Sequence, residues 1–382
     1  MHFSHILRSK KNILSIAFAL FLTFFSLNVS ALEGAVAEET ATAHAKETEK
    51  EKEFDISTFI LHHIADTHSF HLWGEGENSV GIPLPVILWT ESGLIVFMSG
   101  EFHHDAEGKV VVEKGGQRFI NVHEKIYYAS PAANEHGVFA EVNAKHEVAN
   151  KQPLDFSITK NVFTLIFSSV ILAIVFIGVA KGYRKRSGKS PKGFQSLMEP
   201  VILFIRDEVA IPNLGSKFER FMPYLLTIFF FIWFNNLLGM VPFFPGGANL
   251  TGNINLTFVL ALLTFIITTA NGNKYYWSHI FKPHVPWWLY PLMIPVEIIG
   301  IFTKPIALMI RLFANITAGH ILVLALLCLI FVFKSIFVAP VSVLFVVFIS
   351  LIELLVGAIQ AFIFTVLTAL FIGLAIEEHG EH

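Results

Sequence analysis

Five stretches of this chain are almost free of charge: Val162 to Ala180, Phe221 to Val241, Ile254 to Ala270, Leu292 to Phe333 and Ile336 to Ile376. Each is long enough, at about 1.5 Å per residue, to cross much or all of roughly 30 Å of hydrocarbon as a helix. A backbone in lipid must satisfy its own hydrogen bonds, and uninterrupted apolar runs do so as α-helices. Composition agrees, since 54% hydrophobic and 15% charged residues, with 39 phenylalanines in 382 residues, exclude an ordinary soluble protein. The last two runs exceed what a perpendicular span needs, so those helices must tilt strongly or run partly along the membrane plane. The expected fold is an all-α integral membrane protein with five transmembrane helices. To these the sequence adds an amphipathic helix on the cytoplasmic face and a small, mainly β extracytoplasmic insert.

The N-terminal part divides by composition. Arg8, Lys10 and Lys11 precede an apolar run from Ile13 to Leu27, and Val29-Ser30-Ala31 offers a small-residue cleavage site. Residues 1–31 therefore read as a secretory signal peptide, with an uncleaved first span as the competing reading. Residues 32–53 are acidic and read as a solvated linker. Residues 54–155 form an extracytoplasmic region in which Val86 to Trp89, Leu94 to Met98, Val110 to Val112 and Phe119 to Val122 have strand character between turn residues. Several histidines fall here (His62, His63, His103, His104, His123, His136) without a fixed metal-ligand spacing, so they read as solvated. The lone Cys328 makes neither an intramolecular disulfide nor a metal site and reads as a small core residue. Residues 156–379 form the membrane domain.

Basic residues set the orientation. Lys181, Arg184, Lys185, Arg186, Lys189 and Lys192 follow the first span and mark a cytoplasmic loop. The loop from Pro242 to Asn253 has no Lys or Arg, while Lys274 and Lys282 follow the third span. An outside N-terminus and five spans leave Glu377-Glu378-His379 in the cytoplasm. Between spans one and two, Phe194 to Ile211 mixes apolar residues with Glu199, Arg206, Asp207 and Glu208, as a helix lying on the membrane surface does.

The chemistry lies in the polar residues of the last two spans: Glu297, Lys304, Arg311, Asn315, His320, Glu353 and Gln360. A guanidinium keeps its proton at physiological pH, and placing one at the bilayer centre costs at least about 2.5–3.5 kcal/mol. On an ideal helix Arg311, Asn315 and Ala318 share a face flanked by Ala307 and Ala314, and small residues let another backbone approach closely. If the last helix folds back antiparallel with Gln360 level with Arg311, Glu353 and His320 lie about 10 Å and 13 Å outward, at similar depth. An imidazole and a carboxyl together can pass protons near neutral pH. Ideal geometry also turns His320 roughly half a revolution away from Arg311, so the two do not share a face.

The segment Arg311-Leu-Phe-Ala-Asn-Ile-Thr-Ala-Gly-His320, preceded by Lys304-Pro305, resembles the signature helix of the a subunits of F-type ATP synthases. Asn235-Asn236-Leu-Leu-Gly-Met-Val-Pro242, Asn253-Ile-Asn-Leu-Thr257, Pro295-Val-Glu-Ile298 and Gln360-Ala-Phe-Ile-Phe364 extend the resemblance over Asp155 to His379, with a weak match at Phe59 to His63. The resemblance implies that Arg311 is an essential stator arginine supported by Asn315 and Gln360, with Glu297 in a cytoplasmic-side channel. It implies further that Lys304, Asn236, Asn253 and Asn255 line channels. At His320 many bacterial members have a glutamate and at Glu353 a histidine, so the pair is exchanged here. Gly239 stands where some relatives carry an aspartate. Gly74 to Asn150 has no counterpart in the common bacterial form.

On this resemblance the expected function is a stator proton-channel subunit in a bacterial inner membrane, with two offset half-channels feeding a rotor ring of small hairpin subunits. Peripheral-stalk subunits, the rest of the synthase and the lipid bilayer are the other expected partners. No nucleic acid, cofactor or metal is expected, and without a Gly-rich nucleotide motif the chain is not itself an enzyme. A secondary transporter would show a two-half repeat with paired broken helices, which the sequence lacks. A self-contained channel would supply a selectivity ring by oligomerising, and an arginine face without a matching acid argues against it.

Overall fold

The computed structural model describes residues 60, 63–73, 80–134, 137–141, 143, 148–185, 192–241, 244, 246–282, 285–333 and 337–377. The signal-peptide and linker readings, His62, His136, Glu378 and His379 lie outside these residues. The described part begins with short strands: β1 (Ser69–Trp73), β2 (Val80–Pro83), β3 (Pro85–Thr90), β4 (Gly93–Met98), β5 (Val112–Lys114), β6 (Gln117–Val122), β7 (Lys125–Tyr128) and β8 (Leu154–Asp155). β1 and β2 form a hairpin, β4-β3-β8 one antiparallel sheet and β5-β6-β7 another. Alternation along β3 turns Val86 and Leu88 inward, where Phe97, Phe102, Val112, Phe119 and Ile126 join them in a core between the two three-stranded sheets. The second sheet is covered on its other side, where Ile120 and Val122 pack with Ala140 and with Val138, Phe139 and Val148.

A buried ion-pair cluster ties the start of this insert to both of its three-stranded sheets. His68 is 6% exposed, with Nδ1 3.6 Å from Glu124 of the β6–β7 turn and Nε2 3.6 Å from Asp155 of β8. Those are ion-pair separations, longer than a hydrogen bond. The direct bond here is the His68 backbone N–H donating to Glu124 at 3.2 Å. Burial opposes the imidazolium, but the two carboxylates outweigh it and raise the His68 pKa to about 9, while Asp155 is lowered. Nearby, Asp66 accepts from the Thr159 hydroxyl at 2.9 Å and from the Asn161 N–H at 3.0 Å, capping the first long helix.

Among the described residues eight α-helices follow: α1 (Lys160–Lys185), α2 (Phe194–Phe204), α3 (Ile211–Leu214), α4 (Phe218–Gly239), α5 (Ile254–Asn271), α6 (Lys274–Phe281), α7 (Tyr290–Phe333) and α8 (Val338–Ile376). Five helical stretches among the described residues are long and apolar enough to cross a membrane, matching the five runs in the sequence. The stretch expected as a single amphipathic helix comes in pieces: α2, a π-helical turn over Ile205–Ala210, then α3, ended by Gly215 at φ +54°. Ile205, Val209, Ala210 and Leu214 are buried, while Arg206 and Asp207 pair with each other at an exposed position. At Gly373 a Cβ would lie 2.2 Å from the Asn213 carbonyl oxygen, so only glycine lets α8 cross α3 this closely. The long helices α7 and α8 pack on each other and, respectively, on α5 and α4.

Because the folded pKa of His68 lies above its unfolded value of about 6.5, its pairing stabilises the insert fully below pH 6.5. That contribution fades as pH rises through about 9. Protection factors of β8 and β3 amides, corrected for the intrinsic base catalysis of exchange, should fall over this window, with a loss on the order of 2 kcal/mol. His68→Gln should lower these protection factors at neutral pH and remove their alkaline decline. Protection factors that stay constant from pH 6.5 to about 9 in the native protein would contradict the pairing.

Candidate functional site

Helix α7 has two faces. Leu308, Met309, Leu312 and Ile316 are buried against the rest of the chain. Ala307, Arg311, Ala314, Asn315 and Ala318 are exposed together on the other side, the small-residue face expected from helical spacing. No ion pair reaches Arg311 among the described residues. Asn315 Nδ2 donates to Gln360 Oε1 of α8 at 2.8 Å, which brings Gln360 to within a turn of the arginine's level. Gln360 is 2% exposed and its Nε2 has no hydrogen-bond partner, so a donor is left over beside this face.

His320 and Glu353 do not point to the arginine face. They line a narrow cleft behind it, between α7, α8 and α4, together with Asn235, Asn236, Gly239 and Asn249. The half-turn between Arg311 and His320 thus requires no bend: one side chain faces outward and the other inward. Glu353 lies against Gly319, where a Cβ would be 3.1 Å from its Oε1. No ion pair joins His320 and Glu353. Asn236 is held in place, donating to the Gly357 carbonyl at 2.9 Å and accepting from the Thr251 hydroxyl at 2.6 Å. Asn235 donates to the Phe231 carbonyl at 2.8 Å and leaves its Oδ1 buried and without a hydrogen-bond partner. This cleft mixes polar and apolar walls and has room for about one water.

The remaining expected residues stand apart from the cleft. Glu297 is half-buried on α7, fourteen residues before Arg311 and so about 21 Å away along the axis, opposite in direction to His320. Lys304 is exposed with its ammonium 5.6 Å above the Phe371 ring. Asn253 caps α5 by accepting from the Asn255 N–H at 2.9 Å, and the Asn255 side chain is exposed. Two further residues join the constellation. Asn235 was visible in the sequence only as half of an asparagine pair in an apolar run. His63, grouped with the solvated histidines, stacks on His320 with ring centroids 6.1 Å apart and planes inclined by 21°. Nothing in the sequence spacing connects positions so far apart.

Comparison with known proteins bears on residues in and around this site. The sequence model of the ATP synthase A chain matches residues 162–373, and that of a domain of unknown function matches residues 59–156. A protein of Chloroherpeton thalassium called ATP synthase subunit a is 49% identical over 234 residues, covering 59% of this chain and 69% of that protein. One of the same name from Chlorobium phaeobacteroides (strain DSM 266) is 49% identical over 238 residues, 60% of this chain and 68% of its own. Another from Myxococcus xanthus is 44% identical over 240 residues, 60% and 77%.

The close approach of α8 to α4 is testable. A Cβ on Gly357 would sit 3.2 Å from Asn236 Cβ and 3.6 Å from its Nδ2. Gly357→Val should force these helices apart and cost about 1–3 kcal/mol, lowering the thermal unfolding midpoint of the purified protein. An unchanged midpoint would show that the cleft is not packed this tightly.

Proposed function

The chain belongs to the ATP synthase A chain family, and we propose from that premise that its exposed Arg311 is the fixed charge past which a rotor ring turns. It is a non-catalytic subunit of the membrane sector of an F-type ATP synthase, with several membrane-spanning helices. Its contribution is proton translocation, and the finer assignment of roles rests on the geometry of α7 and α8.

The observation that carries the proposal is the arginine face itself. A guanidinium held at membrane depth without an ion-pair partner among the described residues is costly unless water or a mobile acid answers it. The surrounding Ala307, Ala314 and Ala318 leave room for another helix to come close. A ring of hairpin subunits, each with one membrane carboxylate, supplies such an acid. In this reading a proton arrives from the outer side along the cleft of His320 and Glu353, with His63 at its mouth, and neutralises a ring carboxylate. The neutral carboxyl can turn into lipid, where an ionised one is prohibitively costly. After nearly a full turn it meets the cytoplasmic half-channel near Glu297 and ionises under the influence of Arg311. Arg311 also repels a proton that would slip directly between the half-channels. Each crossing provides about 2.3 kcal/mol per 100 mV.

The separation of Arg311 outward and His320 inward supports this division of labour, because the entry path and the rotor contact lie on opposite sides of one helix. Asn315 and Gln360 hold the arginine face against α8, and Lys304, Asn253 and Asn255 line the outer parts of the channels. The basic cluster from Lys181 to Lys192 supports a cytoplasmic loop after α1, with α2 and α3 on that face and the β insert outside. At 44 and 39 residues, α7 and α8 are about 66 Å and 58 Å long, which calls for strong tilt in a bilayer and suits helices that follow a curved ring. Peripheral-stalk subunits complete the stator, in a bacterial inner membrane.

Arg311→Ala is expected to abolish proton-driven ATP synthesis in reconstituted complex while the attached head still hydrolyses ATP. Retained coupled synthesis would defeat the assignment. Glu353→Gln combined with His320→Ala should slow passive proton flux through complexes in vesicles at least about tenfold, as loss of a positioned acid–base pair does. Flux equal to the parent's would remove the cleft from the path.

A further inference from the structure

Among the described residues, the sheet β4-β3-β8 is covered on one face only. Its inner face holds the insert's core, whereas Trp89, Leu94, Val96, Met98, Leu154 and Phe156 are all between 44% and 64% exposed. The register puts them on one surface: Trp89 is opposite both Leu94 and Leu154, Val96 is opposite Ile87, and Met98 is opposite Pro85. Phe156 lies two residues beyond Leu154 and so emerges on the same side. Among the described residues, six large apolar side chains thus form a contiguous open patch in a domain whose other sheet is covered. Scattered exposed apolar residues need no explanation, but a contiguous patch marks something that covers it.

The patch runs into an exposed apolar face of α1. From β8 the chain needs only residues 156–159 to reach α1, at most about 17 Å of backbone. That connection is zipped to the insert, with the Phe156 N–H bonded to Ile87 at 2.9 Å, Ile158 to Pro85 at 3.0 Å and Lys160 to Thr67 at 2.9 Å. The sheet therefore cannot swing freely away from the helix. Beyond it, Val162, Ile166, Val170, Ile174 and Ile177 of α1 are exposed at helical spacing, an apolar stripe that faces the bilayer. Interfacial segments bury apolar side chains about 5–10 Å into the boundary between headgroups and acyl chains, and tryptophan favours that depth. At the far end of the sheet, Glu91 and Lys151 pair at an exposed position, a charged rim suited to headgroups and water.

We propose that the outer face of the β4-β3-β8 sheet lies in the outer leaflet of the bilayer, anchoring the insert as a monotopic extension of α1. The occupant of the patch is phospholipid. This depends on α1 being a lipid-facing span, and on nothing about proton transfer. Its consequence is mechanical. A sheet moored in lipid holds the His68 cluster and His63 at a fixed height over the cleft of His320, so the outer mouth does not depend on one short connection alone.

A photoreactive benzophenone amino acid in place of Val96, in the intact complex reconstituted in phosphatidylethanolamine–phosphatidylglycerol vesicles, tests this. The same probe at Val162 reports lipid contact of α1, and at Lys125, exposed on the second sheet, it reports background. After irradiation, mass spectrometry should find phospholipid adducts at Val96 within about twofold of those at Val162 and at least about tenfold above those at Lys125. An adduct to another polypeptide would show that a protein covers the patch and would overturn the proposal. So would adducts no more frequent than at Lys125. Lipid adducts missing at Val162 as well would instead remove the premise that α1 faces lipid.

Discussion

A positive charge that cannot be discharged, held at membrane depth and unanswered among this chain's described residues, is the constraint on which the arrangement turns. Arg311 lies on the open side of α7 while four large apolar side chains, Leu308, Met309, Leu312 and Ile316, fix the opposite side in the protein. Packing on one flank and small residues on the other leave the guanidinium no route to an internal acid. The cost of such a charge is met by what comes to it from outside, which is the physical content of the proposal that a ring of carboxylates moves past it. The same helix shows its other functional side chain, His320, to the interior. In the proposed function, one element thus separates the place where a proton waits from the place where charge is exchanged.

Close helix approach is the second condition. Gly319, Gly357 and Gly373 each bring α7 or α8 against a neighbour at distances that a side chain would disturb, at Glu353, Asn236 and the backbone of Asn213 respectively. Asn235, Asn236, Asn249, His320 and Glu353 line the narrow cleft so left, beside Met240 and Ile316. Asn236 is bonded at both ends of its amide, so the cleft wall is defined rather than fluid. At the insert's end of the cleft, His63 stacks on His320, and the insert is itself tied together through His68, Glu124 and Asp155.

The five spans were legible because lipid imposes one simple rule, and uninterrupted apolar runs obey it almost regardless of their partners. The exposed face of Arg311, Asn315 and Ala318 was legible for a similar reason, since helical periodicity is local. The similar depth of His320 and Glu353 followed from counting along two antiparallel helices, and the 2.8 Å bond between Asn315 and Gln360 accords with that register. What local patterns did not carry was azimuth. The sequence placed His320 half a turn from Arg311 but not the cleft that receives it, because the cleft is made by α4 and its asparagines. His63 and His68 were indistinguishable from solvated histidines, since their partners lie 257 and up to 87 positions away along the chain. Likewise the π-helical turn over Ile205–Ala210 interrupts the amphipathic stretch beside the crossing of Gly373 on Asn213, a contact between segments distant in sequence.

The most direct measurement is a cryo-electron microscopy map of the intact complex in lipid, read at the contact between this subunit and its rotor. The account predicts the ring packed on the face of Ala307, Arg311, Ala314 and Ala318, with a ring carboxylate passing within a few ångströms of the guanidinium, directly or through water. A ring packed on another surface, with Arg311 covered by a second stator polypeptide or by its own chain, would contradict it.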